Sequence, residues 1–297
     1  MTKKCGYIAL IGAPNVGKST LLNALVGTKL SIVTPKPQTT RKRVIGIRTD
    51  EDSQMIFVDT PGIIDPKYEL HRVMMQYVEF AIAEADLIVF MIDVSTQKEP
   101  KELIKVEIEE KLKMTNKPLI LVLNKVDLLE SPKLVLPIID EYNKLGLFKE
   151  FVPTSATKLA GIDELIKVFK NYLPDGEFLY DEDVLSTQNE RFLVAELIRE
   201  KLFMMYKDEI PYSTEVQIVE FKEREKGKWY ILAEIIVEKE TQKPIILGAG
   251  GSRIKRLGEV ARKEIEAHLG LGVYLELFVK VRKNWRNKKS MLKYFGY

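Results

Sequence analysis

One cysteine, Cys5, stands in 297 residues. An internal disulfide is therefore unavailable, and a reducing compartment is expected. No apolar run reaches the roughly 20 residues that span a bilayer. The basic start, Met1-Thr2-Lys3-Lys4, is not followed by the apolar core of a secretion signal, so a cytoplasmic protein is expected. Histidine is scarce: His71 and His268 are the two in the chain. Neither has a partner at metal-ligand spacing, and both read as surface or cap positions. Repeats and low-complexity tracts are also lacking. What is present is 45% hydrophobic and 30% charged residues, the balance of a globular chain that buries a core.

Acidic residues thin out toward the end. Residues 1–182 carry a net charge of −2 and residues 183–297 a net of +5; from Leu277 to Tyr297 there are seven basic residues and no acidic one. A near-neutral first module and a basic second one suggest that the second meets a polyanion. The alternative is a solvated basic tail, and charge alone does not separate the two.

Up to about Pro174, short apolar runs alternate with amphipathic stretches. Tyr7–Ile11, Met55–Val58, Leu87–Ile92 and Leu119–Leu123 read as strands, being short, rich in branched residues and bounded by turn residues. Ser19–Leu25, Leu70–Ala83, Lys101–Lys113 and Gly161–Tyr172 read as helices. Such alternation builds βαβ units around a mostly parallel sheet. Val44–Arg48 pairs with Met55–Val58 through the polar Thr49–Gln54, so one strand is expected to run antiparallel. The pattern gives a first domain over 1–176, a linker over 177–188, an α+β domain over 189–283 and a basic tail over 284–297. The α+β part runs helix, strand, strand, Gly-rich turn, helix, strand.

Gly12-Ala13-Pro14-Asn15-Val16-Gly17-Lys18-Ser19 has the spacing G-x-x-x-x-G-K-[ST], follows a predicted strand and opens a predicted helix. Its glycines let main-chain amides, from Asn15 and Val16 through Thr20, curl around phosphate oxygens. The helix start adds its unsatisfied N–H groups and positive dipole end. Lys18 supplies a charge for the β- and γ-phosphates, and Ser19 an oxygen for Mg²⁺.

The base is specified elsewhere. Asn124-Lys125-Val126-Asp127 follows a buried strand, where the Asp127 carboxylate can accept two hydrogen bonds from the N1–H and N2–H₂ edge of guanine. Adenine lacks those donors, and a site built on substrate hydrogen bonds rejects such an analogue by about 10⁴–10⁵-fold. Asn124 would tie this segment to the phosphate loop, and the Lys125 stem would cover one base face. A backbone N–H of Ser155-Ala156 would meet the guanine carbonyl. In Asp59-Thr60-Pro61-Gly62, Asp59 can hold Mg²⁺ through water and the Gly62 N–H can reach the γ-phosphate. Thr40, with Thr39 as its rival, is the hydroxyl expected to close on Mg²⁺. A loop that contacts metal and γ-phosphate only in the triphosphate state is a two-state element.

In the second module, Ile246-Leu247-Gly248-Ala249-Gly250-Gly251-Ser252-Arg253-Ile254 fits I-x-G-x-x-G-x-x-I, the KH signature, whose turn clamps single-stranded backbone. Arg253, Lys255 and Arg256 would meet phosphates, with Ala249 adding no charge. Lys283, Trp285 and Arg286 in the tail suggest phosphate contacts plus a stacking platform. Packing of Trp285 on its own domain is the equal alternative.

With these motifs in order, the chain resembles the Era family of GTPases. The resemblance rests on the phosphate loop with Pro14-Asn15, on Gln38-Thr39-Thr40-Arg41 and on the KH signature, and it covers nearly the whole chain. It implies an α/β P-loop GTPase domain, with a mostly parallel sheet and one antiparallel strand, followed by an α+β type II KH domain. It further implies GTP/GDP and Mg²⁺, with K⁺ used by some relatives near the residue equivalent to Asn15. It implies binding of the 3′ end of 16S ribosomal RNA, a role in 30S subunit assembly, and no obligate protein partner. Peripheral contact of the basic end with the inner face of the membrane stays open. In one respect the chain departs from Ras-like proteins: Ile63 stands where they carry a water-orienting Gln, so turnover is expected near the 10⁻⁴–10⁻³ s⁻¹ scale of unassisted small GTPases. Lys18, Thr40 and Gly62 are then the groups nearest the reacting phosphate. An ATP-dependent phosphotransferase or motor and a protein or membrane adaptor are the competing readings.

Overall fold

The computed structural model describes residues 2–96 and 106–297. They divide into two compact units. The first comprises Met1–Ser31, Thr40–Asp65 and Met74–Thr187; the second comprises Ile32–Thr39, Pro66–Val73 and Gln188–Tyr297.

In the first unit, β1 (Lys4–Gly12), β2 (Val44–Thr49), β3 (Ser53–Asp59), β4 (Leu87–Asp93), β5 (Leu119–Asn124) and β6 (Glu150–Thr154) form one sheet in the order β2-β3-β1-β4-β5-β6. Only the β2–β3 pair is antiparallel; β1 pairs in parallel with β3 and β4, β4 with β5, and β5 with β6. The central strands are apolar without alternation, with Ile8–Ile11, Leu87–Met91 and Ile120–Leu123 wholly buried, because helices cover both faces of a parallel sheet. Among the described residues the helices of this unit are α1 (Lys18–Val26), most of α2 (Glu69–Glu84), α3 (Val106–Met114), α4 (Val135–Asn143) and α5 (Ile162–Tyr172). Part of the expected helix Lys101–Lys113 lies outside the described residues. Helix α4 is not among the helices expected from the sequence; it is nine residues long with Pro137 inside it.

The segment expected as a linker is not one. Phe178, Tyr180 and Val184 pack against Cys5, Ile47 and Ile56. Gln54 Oε1 accepts from the N–H groups of Leu179 and Tyr180 at 2.8 and 3.0 Å. The Ile47 N–H donates to the Leu185 carbonyl at 2.8 Å, and the Ser186 hydroxyl to the Ile45 carbonyl at 2.6 Å. These residues strap the open edge of β2, which would otherwise present unpaired backbone groups.

The second unit holds a three-stranded sheet, β7-β8-β9, formed by Glu215–Lys222, Trp229–Val237 and Val273–Val281. The first pair is antiparallel and the second parallel. Helices α6 (Glu190–Met205), α7 (Ile210–Ser213), α8 (Gln242–Leu247), α9 (Ser252–Leu269) and α10 (Lys289–Tyr294) complete it. The core joins Val194, Leu197, Ile198 and Leu202 of α6 to Leu257, Ala261 and Ile265 of α9 over Ile231, Ala233 and Ile235 of β8. The sequence suggested only a Gly-rich turn where α8 forms. That helix is six residues long and carries Pro244 in its first turn, where proline is tolerated.

The basic tail is also folded. Trp285 is 0% exposed, its indole N–H donates to the Ser213 carbonyl at 2.9 Å, and its ring meets Phe295 edge-on at 5.4 Å. Trp285 therefore cannot offer a face to a base, which corrects the stacking reading: a large amphipathic ring against Phe295 is more stable buried, with its N–H satisfied, than in water. Trp285→Ala should destabilise the second unit by about 3–5 kcal/mol, read in urea melts. RNA affinity of the folded fraction should stay within about twofold, since only an interior anchor is removed.

His71 departs from expectation too. It is buried, not a surface or cap residue, with Nε2 3.0 Å from Gln38 Oε1 and its ring 3.8 Å from that of Tyr68.

Candidate nucleotide and RNA sites

The loop between β1 and α1 turns at Gly17, with φ at 104°. A Cβ there would lie 2.3 Å from Asn124 Nδ2, so only glycine fits. Gly17 caps α1 without any side-chain hydrogen bond, which leaves the first-turn N–H groups for an anion. Lys18 is buried, and its ammonium donates to the carbonyls of Gly12 and Ala13 at 3.1 and 2.9 Å. Burial pushes its pKa down from 10.5 to about 8, opposed by Asp59.

This shift has a consequence for binding. A buried ammonium costs stability below pH 8, and the cost is relieved as pH rises from about 8 toward 10.5. A bound phosphate chain restores the charged form. GDP binding at pH 9 should therefore take up about one proton, and at pH 7 almost none, as calorimetry in buffers of different ionisation enthalpy would record. Lys18→Arg should abolish the difference.

The Ser19 hydroxyl lies 2.7 Å from Asp59 Oδ2 and 2.8 Å from Thr40 Oγ1. Thr39 faces elsewhere, its hydroxyl bonded to Thr34 Oγ1 at 2.6 Å and to the Lys36 carbonyl at 2.7 Å. Asp59 is fully buried and ends β3. Burial raises its pKa, while Ser19, Lys18, Ser31 and Thr40 pull it down. Its Oδ1 is buried with no hydrogen-bond partner. Two hydroxyls and a carboxylate oxygen short of a donor are a hard-oxygen set that suits Mg²⁺, which when bound would neutralise charge between the β- and γ-phosphates. Gly62 lies against Pro14, whose N and Cα would be 2.7 Å from an added Cβ. The next residue, Ile63, donates its N–H to the Gly12 carbonyl at 3.0 Å and is buried in the core, so its side chain does not reach a water beside the phosphates.

The base pocket is a cavity of about 250 Å³ lined by Gly17, Thr20, Asn124, Lys125, Asp127, Leu128, Ala156 and Thr157. Asn124 ties its three walls together. It donates to the Val16 carbonyl at 2.7 Å and accepts from the Ala156 N–H at 3.1 Å and the Thr154 hydroxyl at 3.3 Å. Lys125 pairs with Asp93 at 2.6 Å, and Ser155 N–H donates to the Ala160 carbonyl at 3.0 Å. Sequence reasoning did not mark Ser31, Leu128 or Thr157. None belongs to a motif, and each reaches the site only through the fold.

In the second unit, α8 and α9 meet at the Gly248–Gly251 turn. Gly248 has φ at 74° and approaches the Arg253 backbone N so closely that a Cβ would sit 3.0 Å from it. Gly251 caps α9 with φ at 77° and no side-chain cap. Gly250, Arg253, Lys255 and Arg256 are exposed. Beside the turn is a cleft of about 950 Å³, whose lining includes Lys207, Ile245, Ser252, Arg253 and Arg256. Ile246 is fully buried and its carbonyl accepts from the Tyr206 hydroxyl at 2.8 Å, so its side chain supports the turn and cannot contact RNA. Lys283 is exposed. Arg286 is committed to Glu238 and stacks 4.5 Å from the Tyr68 ring, which corrects its reading as a free phosphate contact. Tyr274 and Phe278 of β9, 54% and 55% exposed, offer the aromatic surface that Trp285 does not.

A strand–glycine loop–helix with the Asn124-Lys125-Val126-Asp127 segment beside it, joined to an α-β-β-α-α-β domain turning on Gly-x-x-Gly, defines a P-loop GTPase domain followed by a type II KH domain. The profile described as 50S ribosome-binding GTPase matches residues 7–125, and that of the KH domain matches residues 209–286. GTPase Era of Ruminiclostridium cellulolyticum is 44% identical over all of this chain and 98% of its own length; GTPase Era of Clostridium botulinum is 43% identical over 99% and 98%. A crystal structure of Era in complex with MgGDPNP and nucleotides 1506–1542 of 16S ribosomal RNA matches with a TM-score of 0.93 at 44% identity, covering 99% of each chain. A variant of Aquifex aeolicus Era bound to GDP·AlF4⁻ matches with a TM-score of 0.92, also at 44% identity and 99% coverage of each. The chain belongs to the GTPase Era family. Among the described residues no helix is long and apolar enough to cross a membrane.

Proposed function

We propose that this protein hydrolyses GTP slowly and uses its nucleotide state to set the access of single-stranded RNA to the Gly248–Gly251 turn. The RNA is the 3′ end of 16S ribosomal RNA, and the setting is assembly of the 30S subunit. The observation that carries the reading is the division of one loop between two sets of contacts. The Thr39 carbonyl accepts from Arg199, the Val33 N–H donates to Glu200 at 3.0 Å, and the Lys36 ammonium meets the carbonyls of Phe203 and Tyr206. The next residue, Thr40, bonds the Ser19 hydroxyl. Drawing Thr40 onto Mg²⁺ and the γ-phosphate therefore pulls on a loop whose other contacts are made by α6 and the residue that follows it, and Tyr206 and Lys207 also line the cleft beside the turn.

Hydrolysis in this reading relies on charge from Lys18 and Mg²⁺, with K⁺ beside Asn15, whose backbone is left-handed at φ 63°, as a further element. RNA contact falls to Gly248, Ala249, Gly250, Gly251, Arg253, Lys255, Arg256 and Lys283. The resemblance to the Era–RNA complex supports the choice of RNA.

The test is titration of labelled RNA of that 3′-terminal sequence with the full chain, loaded with a non-hydrolysable GTP analogue or with GDP. Binding is expected to be at least about fivefold tighter in the triphosphate state. Equal affinity in the two states removes the coupling, and equal affinity for a scrambled sequence removes the assignment of the RNA. Competition by anionic vesicles at matched salt would assign the basic end to a membrane surface.

A further inference from the structure

Asp59 is held by a residue outside every nucleotide motif. Ser31 is 3% exposed and its hydroxyl donates to Asp59 Oδ2 at 3.0 Å. It is itself clamped by one side chain: Asn23 Oδ1 accepts from the N–H groups of Leu30 and Ser31, each at 2.9 Å, and Asn23 Nδ2 donates to the Ser31 carbonyl at 2.8 Å. Asn23 and Ser19 are four residues apart on α1, so they project from one helix face. One helix thus reaches the same carboxylate twice, directly through Ser19 and indirectly through Asn23 and Ser31.

We infer that Ser31 is a positioning residue for the metal site: it fixes the rotamer of Asp59 by occupying Oδ2, so that Oδ1, the oxygen without a donor, is presented to Mg²⁺ and its water. This rests on the reading of Asp59 as the metal carboxylate. The asymmetry among the three hydroxyls supports it. Ser19 and Thr40 would turn to the metal on loading, and each would release its present partner. Ser31 has a backbone locked by Asn23 at both its N–H and its carbonyl, and it is the hydroxyl that stays on Asp59. Without it the carboxylate would be free to rotate just as its other donors leave. Partners that orient a ligand in this way contribute about 10–100-fold to metal affinity.

The experiment follows the affinity of the full chain for fluorescent GDP as a function of Mg²⁺. Ser31→Ala should raise the half-saturating Mg²⁺ concentration by about tenfold while leaving GDP affinity in EDTA within twofold, and Ser31→Thr should restore the wild-type value. Asn23→Ala, which keeps the hydroxyl but loosens it, should shift the Mg²⁺ requirement in the same direction by less. A Ser31→Ala protein that is folded by circular dichroism and has the wild-type Mg²⁺ requirement overturns the inference. Should that variant fail to fold, Ser31→Cys decides by the same readout, because a thiol is a weak donor of nearly the same size. Asp59→Asn separates the two readings: if it keeps the wild-type Mg²⁺ dependence, the assignment of Asp59 is wrong; if it loses that dependence while Ser31→Ala does not, only the role of Ser31 is.

Discussion

Asp127→Asn should lower the affinity for GDP and GTP by about 10⁴–10⁵-fold and create binding of xanthosine nucleotides where the wild-type protein has none. Asp127 lines the cavity formed with Asn124, Lys125 and Ala156, and on the proposed reading its carboxylate would accept from a purine bearing N1–H and N2–H₂. Asparagine presents a donor in place of one acceptor. Guanine then meets donor against donor, whereas xanthine, with a carbonyl at position 2, regains a complementary edge. The fold should not suffer, because Asp127 is exposed and the hydrogen bonds that assemble the pocket belong to Asn124. Calorimetry with GDP, XDP and ADP checks this. Unchanged GDP affinity in the variant, with no binding of XDP, would mean that Asp127 does not read the base, and binding of ADP by the wild-type protein would revive the ATP-dependent reading.

Gly250→Asp together with Gly251→Asp should reduce affinity for single-stranded RNA by at least about 100-fold, a loss expected when two carboxylates are set where a phosphate chain must approach. A Cβ at either residue meets nothing within 4 Å, so the variant adds charge and not a clash. The backbone cost is that of two left-handed residues, φ 57° and 77°, about 1–2 kcal/mol each. Gly248 is excluded from the test because substitution there would collide with Arg253 and confuse misfolding with lost binding. Nucleotide affinity should be unchanged, since no nucleotide-site residue is touched. RNA binding that survives the pair, in a protein with wild-type GDP affinity, would leave the KH turn outside the RNA site. It would turn attention to Tyr274 and Phe278 of β9.

How far these sites could be read in advance depended on chain separation. The phosphate loop was legible because its chemistry lies within eight consecutive residues, and the Asn124–Asp127 segment because its four residues follow one buried strand. In the KH module the glycine spacing located the turn, but α8, only six residues long with Pro244 inside it, carried no helical period. Thr40 was expected at the metal with the adjacent Thr39 as its rival, and nothing in the sequence excluded the rival. The choice is made by backbone direction, which turns Thr39 toward Thr34 and Lys36 and Thr40 toward Ser19. Trp285 and Arg286 looked like nucleic-acid ligands by composition. Their neighbours, Ser213, Phe295, Glu238 and Tyr68, lie tens to hundreds of residues away in the chain and could not be weighed.

By itself, then, the order of residues determined the class of chemistry: a glycine-lined anion loop, a carboxylate for the guanine edge, a metal carboxylate at a strand end and a glycine turn for a phosphate backbone. These follow from the conformational freedom of glycine and from hydrogen-bond polarity, which are properties of short segments. Tertiary structure decided which polar groups are spent on the protein and which are left over for a ligand. Ser31 on Asp59, Gln54 on the strap of residues 179–180, and the burial of Trp285 arise from packing between distant segments. Only there do desolvation and donor count leave Asp59 Oδ1 in need of a partner.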